Sequence, residues 1–229
     1  MIKILYCGGS SVCFELDGGA PYYAKESYRV LVDGEERLSA QNTNVFSLFG
    51  LRPGTGYAVA VRFEGGGEEN VRFTTRTEAC CVDVRQFGAA GDGVHEDTAA
   101  IQAAISFLPE GGRLWFPAGT YLTLPLCLKS HITLDLDEGA ALLGSADRGR
   151  YPVIPSVSTD PVTGEETLQA GFEGQELDCY QSLLQASYAE DIAIVGRGAI
   201  DGNGGNGDWW GDFDSFPAKR PRVVFLNHT

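Results

Sequence analysis

The chain has 229 residues, and its 17 Lys and Arg stand against 31 Asp and Glu, which gives a formal net charge of −14. This charge argues against nonspecific binding to nucleic acid or to an anionic membrane, because both need clustered positive charge. The hydrophobic share of 43% is that of a folded protein of one or two domains. No apolar run approaches the roughly 20 residues that cross a bilayer, and no secretory signal is recognisable, so a cytoplasmic protein is expected.

The cysteines and histidines predict neither a disulfide framework nor a metal site. Six cysteines are scattered along the chain with no C-x-x-C pair, which favours free buried thiols over disulfides. The three histidines stand apart and form no spaced ligand set with cysteine. We therefore expect the protein to use no metal and no cofactor.

Residues 1–76 alternate apolar and polar positions in short stretches, which is typical of half-buried antiparallel strands. Tyr57, Val59, Val61 and Phe63 fall on one face of the clearest stretch. Turn signals lie at Asp17-Gly18-Gly19 and at Asp33-Gly34, and the second predicts a hairpin. The predicted strands are Met1–Tyr6, Val12–Leu16, Tyr28–Val32, Val45–Leu48, Tyr57–Phe63 and Asn70–Thr75.

The segment Leu51–Tyr57, Leu-Arg-Pro-Gly-Thr-Gly-Tyr, resembles the tyrosine corner of fibronectin type III domains. In that motif the phenol forms a hydrogen bond to backbone just upstream. No tryptophan occurs before Trp115, so Phe14 or Tyr28 is expected to fill the core of the sandwich. We expect this first module, residues 1–78, to position or stabilise the next domain rather than to bind carbohydrate.

A different pattern begins at Val82. A short strand, Val82–Phe87, and a Gly-rich loop precede a predicted helix, in which Asp97 or Thr98 supplies the N-cap oxygen and Pro109–Gly112 ends the helix. Its apolar face is formed by Ile101, Ala104, Ile105 and Leu108. Short strands at spacings that suit stacked coils follow, and the helix would cap the stack. These strands are Arg113–Phe116, Tyr121–Leu124, His131–Leu136, Ala140–Leu143, Leu183–Ala186, Ile192–Val195 and Val223–Leu226.

The motifs of this second part resemble those of two nested groups of proteins. The opening resembles the right-handed parallel β-helix proteins of the pectin-degrading superfamily in Phe87–Gly93, Asp97–Ile105 and Gly112–Tyr121. Further stretches resemble the polygalacturonase-type glycoside hydrolases, namely Leu124–Leu134, Glu138–Ser145, Tyr151-Pro152, Gly198–Gly204, Trp209-Trp210 and Arg220–Phe225. The resemblance implies an all-β chain: a fibronectin type III-like β-sandwich, then the first coils of a right-handed parallel β-helix with an N-terminal capping helix over residues 79–229.

The resemblance also implies an activity, the inverting hydrolysis of α-1,4-galacturonosyl linkages in a pectic oligo- or polysaccharide, and exo action. In that family one Asp is the general acid and others activate water. The family's Asn-Thr-Asp, Asp-Asp, Gly-His-Gly and Arg-Ile-Lys motifs do not occur here. Asn42-Thr43-Asn44 and Ser158-Thr159-Asp160 are only partial matches. The catalytic residues are therefore expected beyond Thr229, the chain is interpreted as an N-terminal fragment, and we predict that it is inactive alone.

Four residues are candidates for contact with sugar. Trp209 and Trp210 offer aromatic faces for a pyranose, Asn203 offers an amide for a hydroxyl, and Arg220 offers charge for a carboxylate. The competing interpretation is that the Trp pair packs its loop against the protein and that Arg220 lies in a solvated turn. Asp135 is interpreted as lining a solvated sheet face together with Asp137, not as part of an acid/base pair.

Two other functions stay open at this point. A non-catalytic β-helix module of the adhesin or tailspike kind would predict trimerisation and no Asp-rich coils downstream. A Ca²⁺-dependent pectate lyase would break the bond by β-elimination and give an unsaturated product that absorbs in the ultraviolet and is abolished by a chelator.

Overall fold

A computed structural model describes residues 1–17, 21–211 and 216–229. Gly18 and Gly19 of the first predicted turn lie outside the described residues, as does Asp212 at the end of the Trp pair's loop. The chain divides into two compact units, Met1–Glu78 and Ala79–Thr229. In the described part of the chain, no helix is long and apolar enough to cross a membrane.

The first unit contains two antiparallel sheets. Strands pair in the orders β1-β2-β5 and β4-β3-β6-β7. The hairpin predicted at Asp33-Gly34 is confirmed, and both residues have the positive φ that suits a tight two-residue turn. The strands are β1 (Ile2–Cys7), β2 (Ser11–Leu16), β3 (Tyr23–Val32), β4 (Glu35–Thr43), β5 (Val45–Phe49), β6 (Gly56–Phe63) and β7 (Glu68–Thr74).

An aromatic cluster fills the core of this sandwich. Phe14 and Tyr28 are both fully buried, and Phe46 packs against each of them, with ring centroids 5.0 Å and 5.7 Å away. These rings take the place of the missing tryptophan. The Tyr57 phenol oxygen accepts a hydrogen bond of 2.8 Å from the Arg52 backbone N–H, which is the upstream contact that the Leu51–Tyr57 motif predicts. The likeness of the whole unit to fibronectin type III domains stays a prediction.

The second unit is built from three parallel sheets. The first sheet orders its strands β20-β13-β10-β8, the second β21-β14-β11-β9, and the third β12-β19-β22. The bounds are β8 (Cys81–Asp83), β9 (Asp92–Glu96), β10 (Gly112–Phe116), β11 (Gly119–Thr123), β12 (Leu126–Cys127), β13 (Ile132–Leu136), β14 (Ala140–Gly144), β19 (Leu184–Ser187), β20 (Ile192–Gly196), β21 (Ala199–Asp201) and β22 (Val224–Asn227).

Successive strands of the chain belong to successive sheets, so the chain winds in coils around one apolar core. Leu114 pairs in register with Leu134 and then with Ile194 on the first sheet, and the three side chains point inward. Tyr121 and Leu142 form the same kind of column on the second sheet. Stacking identical faces buries a continuous core that no single coil could bury alone. The fold is a parallel β-helix, as the sequence predicts.

A single α-helix within the described residues, α1 (Thr98–Phe107), lies at the start of the coils. Ile101, Ala104 and Ile105 belong to the same buried cluster as the first coils, which confirms the capping face. The predicted N-cap is wrong, because no side-chain oxygen caps the helix. The buried Asp97 carboxylate instead accepts hydrogen bonds from the backbone N–H groups of Ala90 and Gly91, and thereby fixes the preceding loop.

Two excursions leave the coils. Between β14 and β19 the chain makes a short 3₁₀ turn and two antiparallel pairs, β15 (Val153–Ile154) with β18 (Cys179–Tyr180) and β16 (Val157–Thr159) with β17 (Glu166–Leu168). The second excursion joins β21 to β22 and carries the Trp pair. All six cysteines lie in the described residues and none forms a disulfide, but Cys179 alone is buried, so the prediction of buried thiols holds for only part of the set.

Candidate functional site

The candidate site lies on the excursion between β21 and β22, where sequence reasoning placed it. At Gly207 the backbone of this loop passes close to the excursion after β14. Gly207 has a φ of +77°, and a Cβ there would overlap the Ala146 carbonyl oxygen. Only glycine tolerates both the left-handed conformation and this approach. The Trp pair directly follows this contact.

Trp209 is buried, which removes it from the candidate sugar-binding residues. Only 4% of its surface is exposed, and its ring makes edge-to-face contacts with Tyr151 at 5.1 Å and Tyr180 at 5.9 Å. No face remains for a pyranose, so the packing interpretation describes this residue. Burial raises the pKa of Tyr151 to about 12. Trp209 anchors the loop.

Arg148 is a second residue that holds the loop in place. Its guanidinium forms a two-pronged ion pair with Asp208, with Nε to Oδ1 at 3.0 Å, and its Nη1 donates to the Tyr180 hydroxyl at 2.9 Å. The hydrogen bond from Arg148 holds the pKa of Asp208 below its usual range, and the same bond raises the pKa of Arg148. Paired bonds of this kind fix geometry as well as charge. Asp208 immediately precedes the Trp pair, so the ion pair positions that pair.

Trp210 and Arg220 are brought together by the fold. The Trp210 ring is 72% exposed, and the Arg220 guanidinium carbon lies 3.9 Å from the ring centroid. The indole N–H of Trp210 donates to the Gly204 carbonyl at 2.6 Å, which fixes the orientation of the ring. An exposed aromatic ring stacked under a cation is an attractive cation–π arrangement. We call these two side chains the Trp210–Arg220 platform, and their contact with substrate stays a prediction.

Asn203 makes structural hydrogen bonds in its loop, and its contact with sugar stays a prediction. Its side-chain N–H donates to the Gly144 carbonyl at 2.9 Å, and its side-chain oxygen accepts from Asn206 at 2.7 Å. Its own backbone N–H donates to Asp201, and its φ is +56°, the left-handed conformation that asparagine tolerates. The amide therefore ties this loop to the preceding coil and has both polar ends engaged.

The carboxylates of the described residues do not form a general acid and base pair at this site. Asp208 is engaged by Arg148, and Asp201 accepts a backbone N–H. Asp135 faces outward as predicted, but it is bound to Arg113 at 2.8 Å and only 15% of its side chain is exposed, so the expected solvated face is wrong for this residue. Asp160 is occupied by two backbone N–H groups of its own turn. In the described ranges no three potential ligands cluster closely enough to hold a metal ion.

Positive charge is concentrated just beyond the platform. Residues 216–229 contain Lys219, Arg220 and Arg222 and no carboxylate, in a chain whose net charge is −14. Arg222 lies 5.0 Å from the centroid of Phe225, whose side chain shares the outer face of the third sheet with Gln185. The local surface is thus suited to an anionic ligand, whereas the chain as a whole repels one.

Comparisons with known proteins agree with this architecture. Residues 81–145 match the family model described as rhamnogalacturonase A/epimerase, pectate lyase-like. An exo-poly-α-D-galacturonosidase of Dickeya chrysanthemi is 37% identical over 176 residues. The chain is homologous to polygalacturonase-type glycoside hydrolases. The family 28 exopolygalacturonase of Yersinia enterocolitica aligns with 89% of the chain at a TM-score of 0.56 and 25% identity, covering 41% of that enzyme.

The match to polygalacturonases is broad in this chain but partial in the relatives. It covers 73% of this chain and 27% of the Dickeya enzyme, so the chain spans about a quarter of that relative's length. A shorter match, 41% identical over 81 residues, links 34% of the chain to 11% of the plasmin and fibronectin-binding protein A of Streptococcus pneumoniae. The matched residues are similar to the N-terminal part of the Dickeya enzyme.

Proposed function

We propose that this chain forms the N-terminal part of an exo-acting, inverting polygalacturonase that cleaves α-1,4-galacturonosyl linkages in pectic substrates, and that its catalytic carboxylates belong to coils beyond residue 229. The observation that carries the proposal is the parallel β-helix together with 37% identity to an exo-poly-α-D-galacturonosidase over 73% of the chain. The carboxylates near the candidate site are engaged in structural contacts, which supports placing the acids elsewhere.

The adhesin alternative is supported by the match to the streptococcal protein. That match covers 34% of the chain, against 73% for the exo-poly-α-D-galacturonosidase. The resemblance in the first coils is shared among β-helix proteins of several functions, so the longer match favours the hydrolase. The fold alone would not favour one function over the other, because one fold carries many functions.

The test is a chimera in which residues 1–229 replace the corresponding N-terminal part of the Dickeya enzyme. Polygalacturonate is the substrate, and reducing ends, absorbance of unsaturated products and the anomer formed first are measured, with and without a chelator. The account predicts reducing ends that are insensitive to chelator, no ultraviolet absorbance and initial release of the β-anomer, because inversion converts an α-linkage. Chelator-sensitive absorbance would show a lyase instead.

A matched control separates folding from function. A second chimera exchanges only residues 79–229 and keeps the Dickeya N-terminal segment. The first chimera keeps the native connection between the two units of this chain, and the second keeps the Dickeya segment that precedes the coils. Circular dichroism and thermal unfolding confirm that each chimera is folded. Two folded chimeras that release no product from polygalacturonate would contradict the proposed function.

A further inference from the structure

We propose that the Asn206-Gly207 peptide is a site of spontaneous deamidation, in which the Gly207 backbone nitrogen attacks the side-chain amide of Asn206, and that loss of this amide then makes Asn203 reactive. The loop between β21 and β22 contains two Asn-Gly pairs, Asn203-Gly204 and Asn206-Gly207. Glycine after asparagine favours the reaction, because glycine has no side chain to hinder the attack. The modification is independent of the proposed function.

The reaction needs only water as a co-reactant. A bond forms between the Gly207 nitrogen, which loses its proton, and Cγ of Asn206. The Cγ–Nδ2 bond breaks, the nitrogen leaves as ammonia, and a cyclic succinimide remains. Water then opens the ring at one of its two carbonyl carbons and gives aspartate or isoaspartate, so no group is oxidised or reduced. The product carries one more negative charge than asparagine, and isoaspartate adds one carbon to the backbone.

Both reacting groups are accessible. Asn206 is exposed, and its side-chain nitrogen donates to the Asn203 side-chain oxygen at 2.7 Å. Among the described residues, none donates a hydrogen bond to the Asn206 side-chain oxygen, and none accepts one from the Gly207 backbone N–H. Negative charge that develops on this oxygen is therefore stabilised by water, and the attacking nitrogen breaks no protein hydrogen bond when it loses its proton.

The fold requires the glycine that makes Asn206 reactive. Gly207 has a φ of +77°, and a Cβ at this position would overlap the Ala146 carbonyl oxygen. A residue with a side chain, which would slow the attack, is therefore excluded. The reactive pair is thus a consequence of how this loop passes the excursion after β14.

The other pair, Asn203-Gly204, is protected by hydrogen bonds. The Asn203 side-chain nitrogen donates to the Gly144 carbonyl at 2.9 Å, and its side-chain oxygen accepts from Asn206 at 2.7 Å. These two bonds hold the amide in place, and the first is lost when ammonia departs. Deamidation of Asn206 replaces the donor of the second bond by a carboxylate oxygen, which repels the Asn203 oxygen. Asn203 is then held by one bond and becomes the second site of reaction.

The modification acts on the loop that carries Trp210. The Trp210 indole N–H donates to the carbonyl of Gly204, which lies between the two asparagines in the sequence. Isoaspartate at position 206 lengthens the backbone between Gly204 and Trp210, so the bond that orients the exposed ring is expected to weaken. Collisional quenching of tryptophan fluorescence by acrylamide is therefore expected to increase with the extent of deamidation.

The experiment incubates the complete 229-residue chain at neutral pH and follows each asparagine by peptide mapping and mass spectrometry. Asn206 is expected to gain about 1 Da and to give isoaspartate, at an initial rate at least about tenfold that of Asn203, because two hydrogen bonds hold Asn203. Asn70, which precedes Val71 in β7, is the internal control and is expected to stay intact.

Two variants separate the steps. Asn206→Gln keeps the amide donor but lengthens the side chain by a methylene, so the succinimide cannot form, and it is expected to abolish the fast reaction while Asn203 stays protected. Asn206→Asp reproduces the deamidated product and is expected to raise the rate at Asn203 by at least about fivefold, because one of the two hydrogen bonds is lost. Circular dichroism and thermal unfolding confirm that both variants are folded.

A folded wild-type chain whose Asn206 stays intact, under conditions in which a short peptide containing Asn-Gly reacts, would overturn the proposal. Equal initial rates at Asn203 and Asn206 would contradict the protection of Asn203, and an unchanged rate at Asn203 in Asn206→Asp would contradict the order of the two reactions. Quenching that does not change with deamidation would contradict the effect on Trp210. None of these measurements involves hydrolysis of a polysaccharide, so the modification and the proposed function can fail separately.

Discussion

The two units of this protein bury their cores in different ways. In the sandwich, Val30 and Val61 are fully buried and lie opposite each other on the paired antiparallel strands β3 and β6. In the coils, one inward column runs from Leu114 through Leu134, both fully buried, to Ile194, which is only partly buried. Burial along this column of the coils is therefore graded, because each coil depends on its neighbours on both sides, whereas the buried pair of the sandwich is covered by its own two sheets.

The largest effect is expected where a coil has neighbours on both sides. Leu134→Ala should reduce the free energy of unfolding by roughly 2–5 kcal/mol, the usual cost of a cavity at a fully buried leucine. Ile194→Ala, on the same column, should cost clearly less because its side chain is already partly exposed. All three tryptophans lie between residues 115 and 210, so fluorescence during denaturant unfolding reports on this unit. Equal losses in the two variants would contradict the gradient.

The second largest loss of stability is expected at the end of the coils that α1 caps. Asp97→Ala should cost about 2–3 kcal/mol, because two backbone N–H groups lose a buried carboxylate acceptor. Asp97→Asn keeps one acceptor oxygen and should lie between wild type and the alanine variant. The same fluorescence-detected unfolding measures both. If alanine and asparagine behave alike, the hydrogen bonds to Ala90 and Gly91 are not what stabilises the loop.

A smaller effect is expected in the sandwich. Tyr57→Phe removes the acceptor of the Arg52 N–H and should destabilise this unit by about 1 kcal/mol, the typical net worth of one hydrogen bond. Hydrogen–deuterium exchange of residues 51–63 measures it, as faster exchange. Tyr22→Phe is the matched control, since that tyrosine is 79% exposed. Faster exchange in both variants, or in neither, would show that the Tyr57 bond has no special role.

The smallest effect is a pH dependence at the start of the coils. Asp92 and His95 lie 2.6 Å apart, and their hydrogen bond lowers the pKa of Asp92 and raises the pKa of His95. The stabilisation by His95 is complete below its unfolded pKa, near 6.5, and is lost as pH rises through its higher folded pKa. The stabilisation by Asp92 is present above about pH 3.9 and is lost as pH falls through its lower folded pKa.

The pair should therefore favour the folded state most between about pH 4 and 6.5. His95→Asn should reduce the drop in thermal midpoint between about pH 6 and pH 8, with His228→Asn as the control. Both side chains of the pair are solvent-exposed, so the change will be small. An unchanged pH dependence in His95→Asn would show that the pair does not contribute.

Much of the fold was predictable because local patterns set it. Alternation identified most of the strands of both units, and the apolar face of α1 identified the cap. The strand predicted over Val82–Phe87 is wrong beyond Asp83, because Val84–Phe87 forms a 3₁₀ helix. The short strand β12 escaped prediction because two residues carry no periodicity, and the strands β4 and β9 and the antiparallel pairs of the first excursion were also missed. The side-chain use of Asp97 was also missed, since its acceptor geometry depends on a loop that folds back onto it.

The candidate site shows more clearly what the local sequence could not predict. Trp209 and Trp210 are adjacent and chemically identical, and only the tertiary structure decides that one is buried and the other exposed. Their anchor, Arg148, is 60 residues away from Asp208, and nothing in the local sequence of either residue predicts the pair. Asn203 had the right chemistry for a sugar hydroxyl, but the fold uses that chemistry for itself.

The most direct test of the central claim is the release of reducing ends from polygalacturonate by the 229-residue chain alone, followed to long incubation against a blank. The account predicts no release above the blank, because it proposes that the catalytic carboxylates belong to coils outside these residues. Sustained hydrolysis by the isolated chain, retained after repeated purification, would show that a catalytic pair exists within these residues and would contradict the account.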